Sequence, residues 1–263
     1  MIYLIIFGFF VVFGYVGFSK LYTKPKVAPF PKEWRALLKE KVKFYRSLNP
    51  IKRNKFRKRV MKFLAETNVE SVGFEMEDLD ILLVAASAVI PTLNFPSWRY
   101  RNLDTVLVYP DAFDSELEFS KSQKDRNIGG MVGSGRLKNH MILSRKSLRL
   151  GFSNKTSKGN TGVHEFVHLI DGEDGSIDGT PDILLTENYS KPWISLMHKE
   201  MKKINAGSSD IRKYAATSEA EFFAVASVYF FKRPRLFRKK HPELYKILKA
   251  CFSPIVEKEK KAA

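Results

Sequence analysis

The stretch TGVHEFVHLID, residues 161–171, constrains the fold more than any other segment. It is apolar except on one side: His164 and His168 lie four residues apart, and Glu165 precedes His168 by three. Residues at that spacing stack on one face of a helix, so two imidazoles point at one spot beside a carboxylate. Thr161 and Gly162 can open such a helix and Asp171-Gly172 can close it. Only five histidines occur in 263 residues, and two of them fall here. The pattern H-E-x-x-H supplies two neutral nitrogen ligands to zinc and a general base, and leaves a position open for water. Zinc lowers the pKa of that water toward about 7, and Glu165 takes its proton. A pair of surface histidines near an acid is the plainer reading of the same residues.

A third ligand is less directly written. The longer pattern H-E-x-x-H-x-x-G-x-x-H requires glycine and histidine where this chain has Asp171 and Asp174. Asp174 remains a candidate ligand. Asp171 can either orient a ligating histidine or end the helix. His198 sits on a predicted helix and reads as a surface residue. The better candidate is Glu221, which opens an apolar helix in YAATSEAEFFAVASVYFF, residues 214–231. It also completes the S-x-x-E capping box with Ser218, and spacing alone leaves both readings open. The acidic loop DGEDGSIDGTPD (171–182) is not an EF-hand, because Gly175 stands where an oxygen ligand is required.

The first eighteen residues carry no charge, which predicts a transmembrane anchor over 1–19. A proline- and lysine-rich linker over 20–33, a catalytic domain over 34–255 and a charged tail over 256–263 follow. All 45 Lys and Arg and all 28 Asp and Glu lie beyond the apolar segment, so the net +17 belongs to the remainder. The block IKRNKFRKRVMKF (51–63) holds seven basic residues and no acidic one. Without a recognition motif, nucleic acid is an unlikely partner; anionic lipid headgroups or plain solvation account for the charge. Lys20, Lys24, Lys26 and Lys32 directly after the span predict a single-pass inner-membrane protein with its domain in the cytoplasm. The single cysteine, Cys251, excludes an internal disulfide and a four-cysteine zinc site. Helical periodicity over about 34–48, 52–66, 77–90, 192–205, 218–231 and 242–252, with strands at 103–110 and 140–144, predicts a helix-rich α+β fold. Its small sheet precedes the motif helix.

HEFVHLID, YAATSEAEFFAV and VYFFKRPRLFRKKHPELYKIL, with LDTVLVYPDAF (103–113) and MILSRKSL (141–148), closely resemble the Mlc titration factor A family of zinc peptidases. The similarity runs from about residue 34 to 253. The resemblance implies a zincin-like, gluzincin-type domain related to the catalytic domain of anthrax lethal factor. It also implies a Zn2+ cofactor on His164, His168 and Glu221, Glu165 as base, and Tyr214 steadying the oxyanion. The expected function is therefore a membrane-anchored zinc metallopeptidase, aminopeptidase-like by the resemblance, whose peptide substrate lies along an edge strand near 140–144. The alternative is a membrane-tethered regulatory module that sequesters a protein partner, with its zinc structural or its catalysis vestigial.

Overall fold

A computed structural model describes residues 26–113, 128–133, 135–185 and 187–253. Four strands form one mixed sheet in the order β1-β2-β4-β3: β1 (Asn68–Ser71), β2 (Thr105–Tyr109), β3 (Gly130–Val132) and β4 (His140–Ser144). β1, β2 and β4 run parallel, with Asn68 opposite Thr105 and Thr105 opposite His140. β3 closes the other edge antiparallel to β4, with Met131 opposite Ile142.

The helices before β2 are α1 (Trp34–Lys41), α2 (Lys43–Ser47), α3 (Pro50–Glu66) and α4 (Asp78–Thr92). After β4 come α5 (Arg145–Ser153), α6 (Thr161–Asp171), α7 (Glu187–Asn205), α8 (Glu219–Lys232), α9 (Pro234–Lys240) and α10 (Pro242–Cys251). Helix α4 is apolar on nearly every side, and twelve of its residues are buried, as the crossover between two parallel strands must be. Its N-terminus is tied to α5 through the fully buried Asp80. That carboxylate accepts from Arg145 Nε at 3.0 Å and Arg149 Nε at 2.6 Å, so a buried charge is paired rather than stranded.

α6 lies at the centre, packed against α4, α8, β3 and β4. Gly162 permits this: a β-carbon there would lie 2.3 Å from Ser87 Oγ and 2.9 Å from Leu148 Cδ1. On the inner side Phe166 packs edge-on to Phe63 at 5.5 Å and against Tyr100 at 5.1 Å. With its apolar face held in this way, the opposite face can carry polar side chains in a fixed direction.

The α+β, helix-rich class agrees with the sequence reading, and several boundaries differ. The helix predicted over 34–48 breaks at Val42, whose φ −105° and ψ 93° are extended. Residues 68–71, between the helices predicted over 52–66 and 77–90, form edge strand β1. β4 is not an edge: it lies between β2 and β3, and among the described strands the edge beside the motif helix is Gly130–Val132. The basic side chains of the block 51–63 lie on the outer side of α3, opposite Phe56, Val60 and Phe63, except that Arg59 turns inward to donate to Pro96 O at 2.9 Å and Trp98 O at 3.1 Å. The placement as a single-pass inner-membrane protein is corrected. No helix among the described residues is long and apolar enough to cross a membrane, and the segment 1–19 on which that placement rested lies outside them, as does the tail 256–263.

Candidate metal centre

The motif helix begins at Thr161, where the sequence places its start, and Asn160 caps it, its side chain accepting from Val163 N at 3.0 Å. That fixes the helical phase, and His164 and His168 come out one turn apart on the open face. Their rings meet edge-on with centroids 4.7 Å apart, and the two Nε2 atoms are separated by 3.1 Å. From the first turn of α8, Glu221 brings Oε2 to 3.0 Å from His164 Nε2 and Oε1 to 3.4 Å from His168 Nε2.

The three side chains each offer one ligand atom, and those atoms all lie within 4.8 Å of one another. Among the described residues this is the group of histidine, cysteine and carboxylate side chains close enough to share an ion. Glu221 Oε2 is buried without a hydrogen-bond partner despite its 3.0 Å approach to His164. The distance suits an ion pair and the angles do not suit a hydrogen bond. An acceptor left in that state, facing two imidazole nitrogens, has the donor chemistry of a cation site. The burial of Glu221 works against its charge, yet His164 and His168 outweigh it and hold the carboxyl well below its usual range. Burial alone would lower the His168 imidazole, but the surrounding Glu221, Glu165 and Asp171 carboxylates raise it.

The two readings of Glu221 are not exclusive. Ser218 caps α8 through its own hydroxyl, accepting from Glu221 N at 3.2 Å, and Ser218 N is not hydrogen-bonded by the glutamate side chain in return. The carboxylate is therefore free to face the histidines while its backbone is capped. Asp174 is not brought to the cluster: its carboxylate accepts from Ser176 N at 3.1 Å and Asp182 N at 3.2 Å within its own loop. His198 lies on the surface, 2.5 Å from Glu219. Asp171 is fully buried and accepts from Gly179 N at 2.8 Å, which ties the loop to the helix end. Its other oxygen and His168 Nδ1 are both buried without hydrogen-bond partners, and burial pushes the Asp171 carboxyl up to about 7.

Glu165 stands outside the donor group, buried against β3. Burial pushes its carboxyl above the ordinary range against the pull of His164 and His168. Gly130 makes room for it: a β-carbon there would sit 2.8 Å from Glu165 Cγ, Glu165 Oε1 and Thr161 Cγ2. Tyr214 sits in a short 3-10 turn, Lys213–Ala216, with its ring 6.1 Å from that of His164 and 48% exposed. Partial burial and then the Glu221 carboxylate push its hydroxyl up to about 12.

These residues border a cleft of about 440 Å³ between β3, α6 and the segment before α8. The sequence reading missed three of its parts: the close approach at Gly129-Gly130, and Lys158 and Arg212 on the wall. The glycine pair was the available signal, since glycine beside a strand often marks a close contact. The two basic residues carried none.

Residues 19–253 match the family described as glucose-regulated metallo-peptidase M90. The uncharacterized protein slr2042 of Synechocystis sp. is 29% identical over 239 residues, covering 87% of this chain and 86% of that protein. Mlc titration factor A of Cronobacter sakazakii is 28% identical over 230 residues, 83% of this chain and 84% of that protein. The same-named Escherichia coli protein is 28% identical over 181 residues, 66% and 68% of the two chains. The two-histidine, one-carboxylate cluster is what a metallopeptidase family should preserve, and a match spanning 19–253 leaves little of the described chain outside it: the chain belongs to the glucose-regulated metallo-peptidase M90 family.

Proposed function

We propose that the domain over 34–255 is a zinc-dependent peptidase in which His164, His168 and Glu221 hold the metal. The observation that carries this reading is the convergence of two imidazoles and one carboxylate within 4.8 Å, with a further buried carboxylate, Glu165, beside them but outside the group. A structural zinc site fills all four positions and requires no neighbouring base, so the pairing of three ligands with a free glutamate favours catalysis.

Bound zinc supplies Lewis acidity to water and to the scissile carbonyl. The rest belongs to the chain. Glu165, its carboxyl raised by burial, accepts a proton from the attacking water and returns it to the leaving amine. The Tyr214 hydroxyl, protonated throughout the physiological range, donates to the oxygen on which charge develops. The open edge of β3 offers main-chain groups to an extended peptide beside Glu165. Whether cleavage proceeds from the amino end, as the resemblance implies, is read in the same assay as activity.

The test is hydrolysis of a mixed peptide pool by purified protein. Cleavage abolished by a chelator and restored by Zn2+ supports the reading; cleavage indifferent to chelation refutes it. A second reading, favoured by the name Mlc titration factor A that the relatives carry, is a module that binds a regulatory protein. It is supported instead if the protein captures such a partner while peptide turnover is absent.

A further inference from the structure

Three charged side chains line the described wall of the cleft besides the metal donors: Glu165, Lys158 and Arg212. Glu165 has its role above. Lys158 is already paired, donating to Asp210 Oδ2 at 2.8 Å and Asp210 O at 2.5 Å. The Arg212 guanidinium makes no hydrogen bond or ion pair among the described residues; the residue is exposed and its side chain lies along Gly159. Its Nη1 lies 2.6 Å, and its Cζ 3.6 Å, from where a β-carbon on Gly159 would stand, so the guanidinium rests on the bare backbone of that glycine.

Both sides of this contact are fastened. Gly159 O accepts from Lys232 Nζ at 2.5 Å, and Gly159 N donates to Ser157 Oγ at 3.0 Å. Two residues before Arg212, the Asp210 carboxylate also accepts from Tyr229 Oη at 2.9 Å and meets His241 Nε2 at 2.6 Å. Two residues after it, Tyr214 faces His164. The result is an unpartnered guanidinium on the cleft wall, carried by a segment whose neighbours Asp210 and Gly159 are hydrogen-bonded.

Guanidinium is a planar fork of donors with no acceptor, matched to a carboxylate. A substrate α-ammonium would need a free carboxylate instead. Among the described residues lining the cleft the carboxylate is Glu165, and Glu221 lies behind His164; both are committed to the chemistry. We propose that Arg212 forms a subsite for a peptide carboxylate, supplied either by the substrate's C-terminus or by an acidic side chain beside the scissile bond. This rests on the peptidase reading of the same cleft.

The test uses the full chain loaded with zinc and four matched peptides: free acid or C-terminal amide, each with Glu or Gln beside the cleaved bond. Wild type should favour carboxylate-bearing peptides in kcat/KM, and Arg212→Gln should lower that acid-to-neutral ratio roughly 10–100-fold, as loss of a charge-assisted pair does. Arg212→Lys should recover part of the ratio. Collapse of the free-acid preference alone identifies the C-terminus as the source; collapse of the Glu preference alone identifies the side chain. A ratio unchanged by Arg212→Gln, or no preference in wild type, overturns the subsite and leaves the peptidase reading intact. If no peptide is hydrolysed, the peptidase reading fails separately. The subsite is then judged by fluorescence anisotropy of the same labelled peptides on Glu165→Gln protein with and without Arg212→Gln: a carboxylate preference that Arg212→Gln removes upholds it, and equal binding of acid and neutral peptides overturns it.

Discussion

Gly130→Ala tests how tightly the sheet edge is fitted to the motif helix. The new β-carbon would lie 2.8 Å from three atoms: Glu165 Cγ, Glu165 Oε1 and Thr161 Cγ2. Ordinary contact begins at 3.4 Å, so β3 and α6 must part, or Glu165 must shift, by roughly 0.6 Å (3.4 − 2.8). Cγ is near the helix backbone and cannot swing away as a flexible tip would. Over-packing of this kind costs about 1–3 kcal/mol, and for a domain of this size each kcal/mol lowers Tm by about 2–4 °C. Displacing a proton-transfer group by 1 Å costs about 100-fold in rate, so about 10-fold is expected for half that displacement. Zinc content should stay at the wild-type level, because the three atoms nearest the added carbon belong to Glu165 and Thr161 rather than to His164, His168 or Glu221. Thr161→Ser in the same chain removes one of the three clashes; it should recover part of the Tm and little of kcat, since the Glu165 contacts remain. Scanning calorimetry, metal analysis and steady-state kinetics on the three proteins read all of this. A Gly130→Ala protein with wild-type Tm and kcat would refute the fit between Gly130 and Glu165.

Four further outcomes follow from the same geometry. Glu221→Gln should weaken zinc retention, whereas Ser218→Ala should keep zinc and lose about 1 kcal/mol of stability as a lost cap; equal zinc retention in wild type and Glu221→Gln by equilibrium dialysis would return Glu221 to a capping role. Tyr214→Phe should lower turnover on the order of 10²-fold with metal content and Tm unchanged, and unaltered turnover would make it an ordinary aromatic. Gly162→Ala should lower Tm, because the added carbon meets Ser87 Oγ at 2.3 Å and Ser87 Cβ at 3.0 Å; a raised Tm would show that helix propensity outweighs the clash. Asp210 is held down to about 2: burial opposes its charge, but the bonds from Lys158, His241 and Tyr229 outweigh it. A depressed carboxyl contributes stability that is present above its unfolded pKa and lost as pH falls through the folded one. Asp210→Asn should therefore be less stable than wild type at neutral pH, with the gap closing between about pH 4 and 2; a gap independent of pH there contradicts the ionic role.

The motif helix and its donors were legible because their signal is local. Four-residue spacing on one chain fixes a direction in space, and apolar neighbours such as Phe166 and Val167 state which face is buried. Glu221 needed a second helix, and sequence spacing could not separate a ligand from a cap because the backbone and the side chain of one residue serve both. β1 was invisible: NVES is a short, half-exposed edge strand with little apolar alternation. α5 was missed because RKSLRLGFS owes its place to Ser144 capping and to Arg145 and Arg149 reaching Asp80, some 65 or more residues earlier. The inward turn of Arg59 hid inside a run of like charges for a similar reason, since its partners are carbonyls of the 96–98 turn. Arg212 lay beyond reach because its meaning comes from Gly159 and from a cleft assembled by distant loops.

The central claim is that Glu165 is a base beside a metal held by other residues, and Glu165→Gln tests it most directly. Purified full chains of wild type and variant are compared for zinc per molecule and for kcat/KM on one cleaved peptide. The account predicts one zinc in each, with turnover lowered roughly 10²–10⁴-fold in the variant. Equal turnover in the two proteins, or wild type purified in zinc-containing buffer without bound zinc, would contradict it.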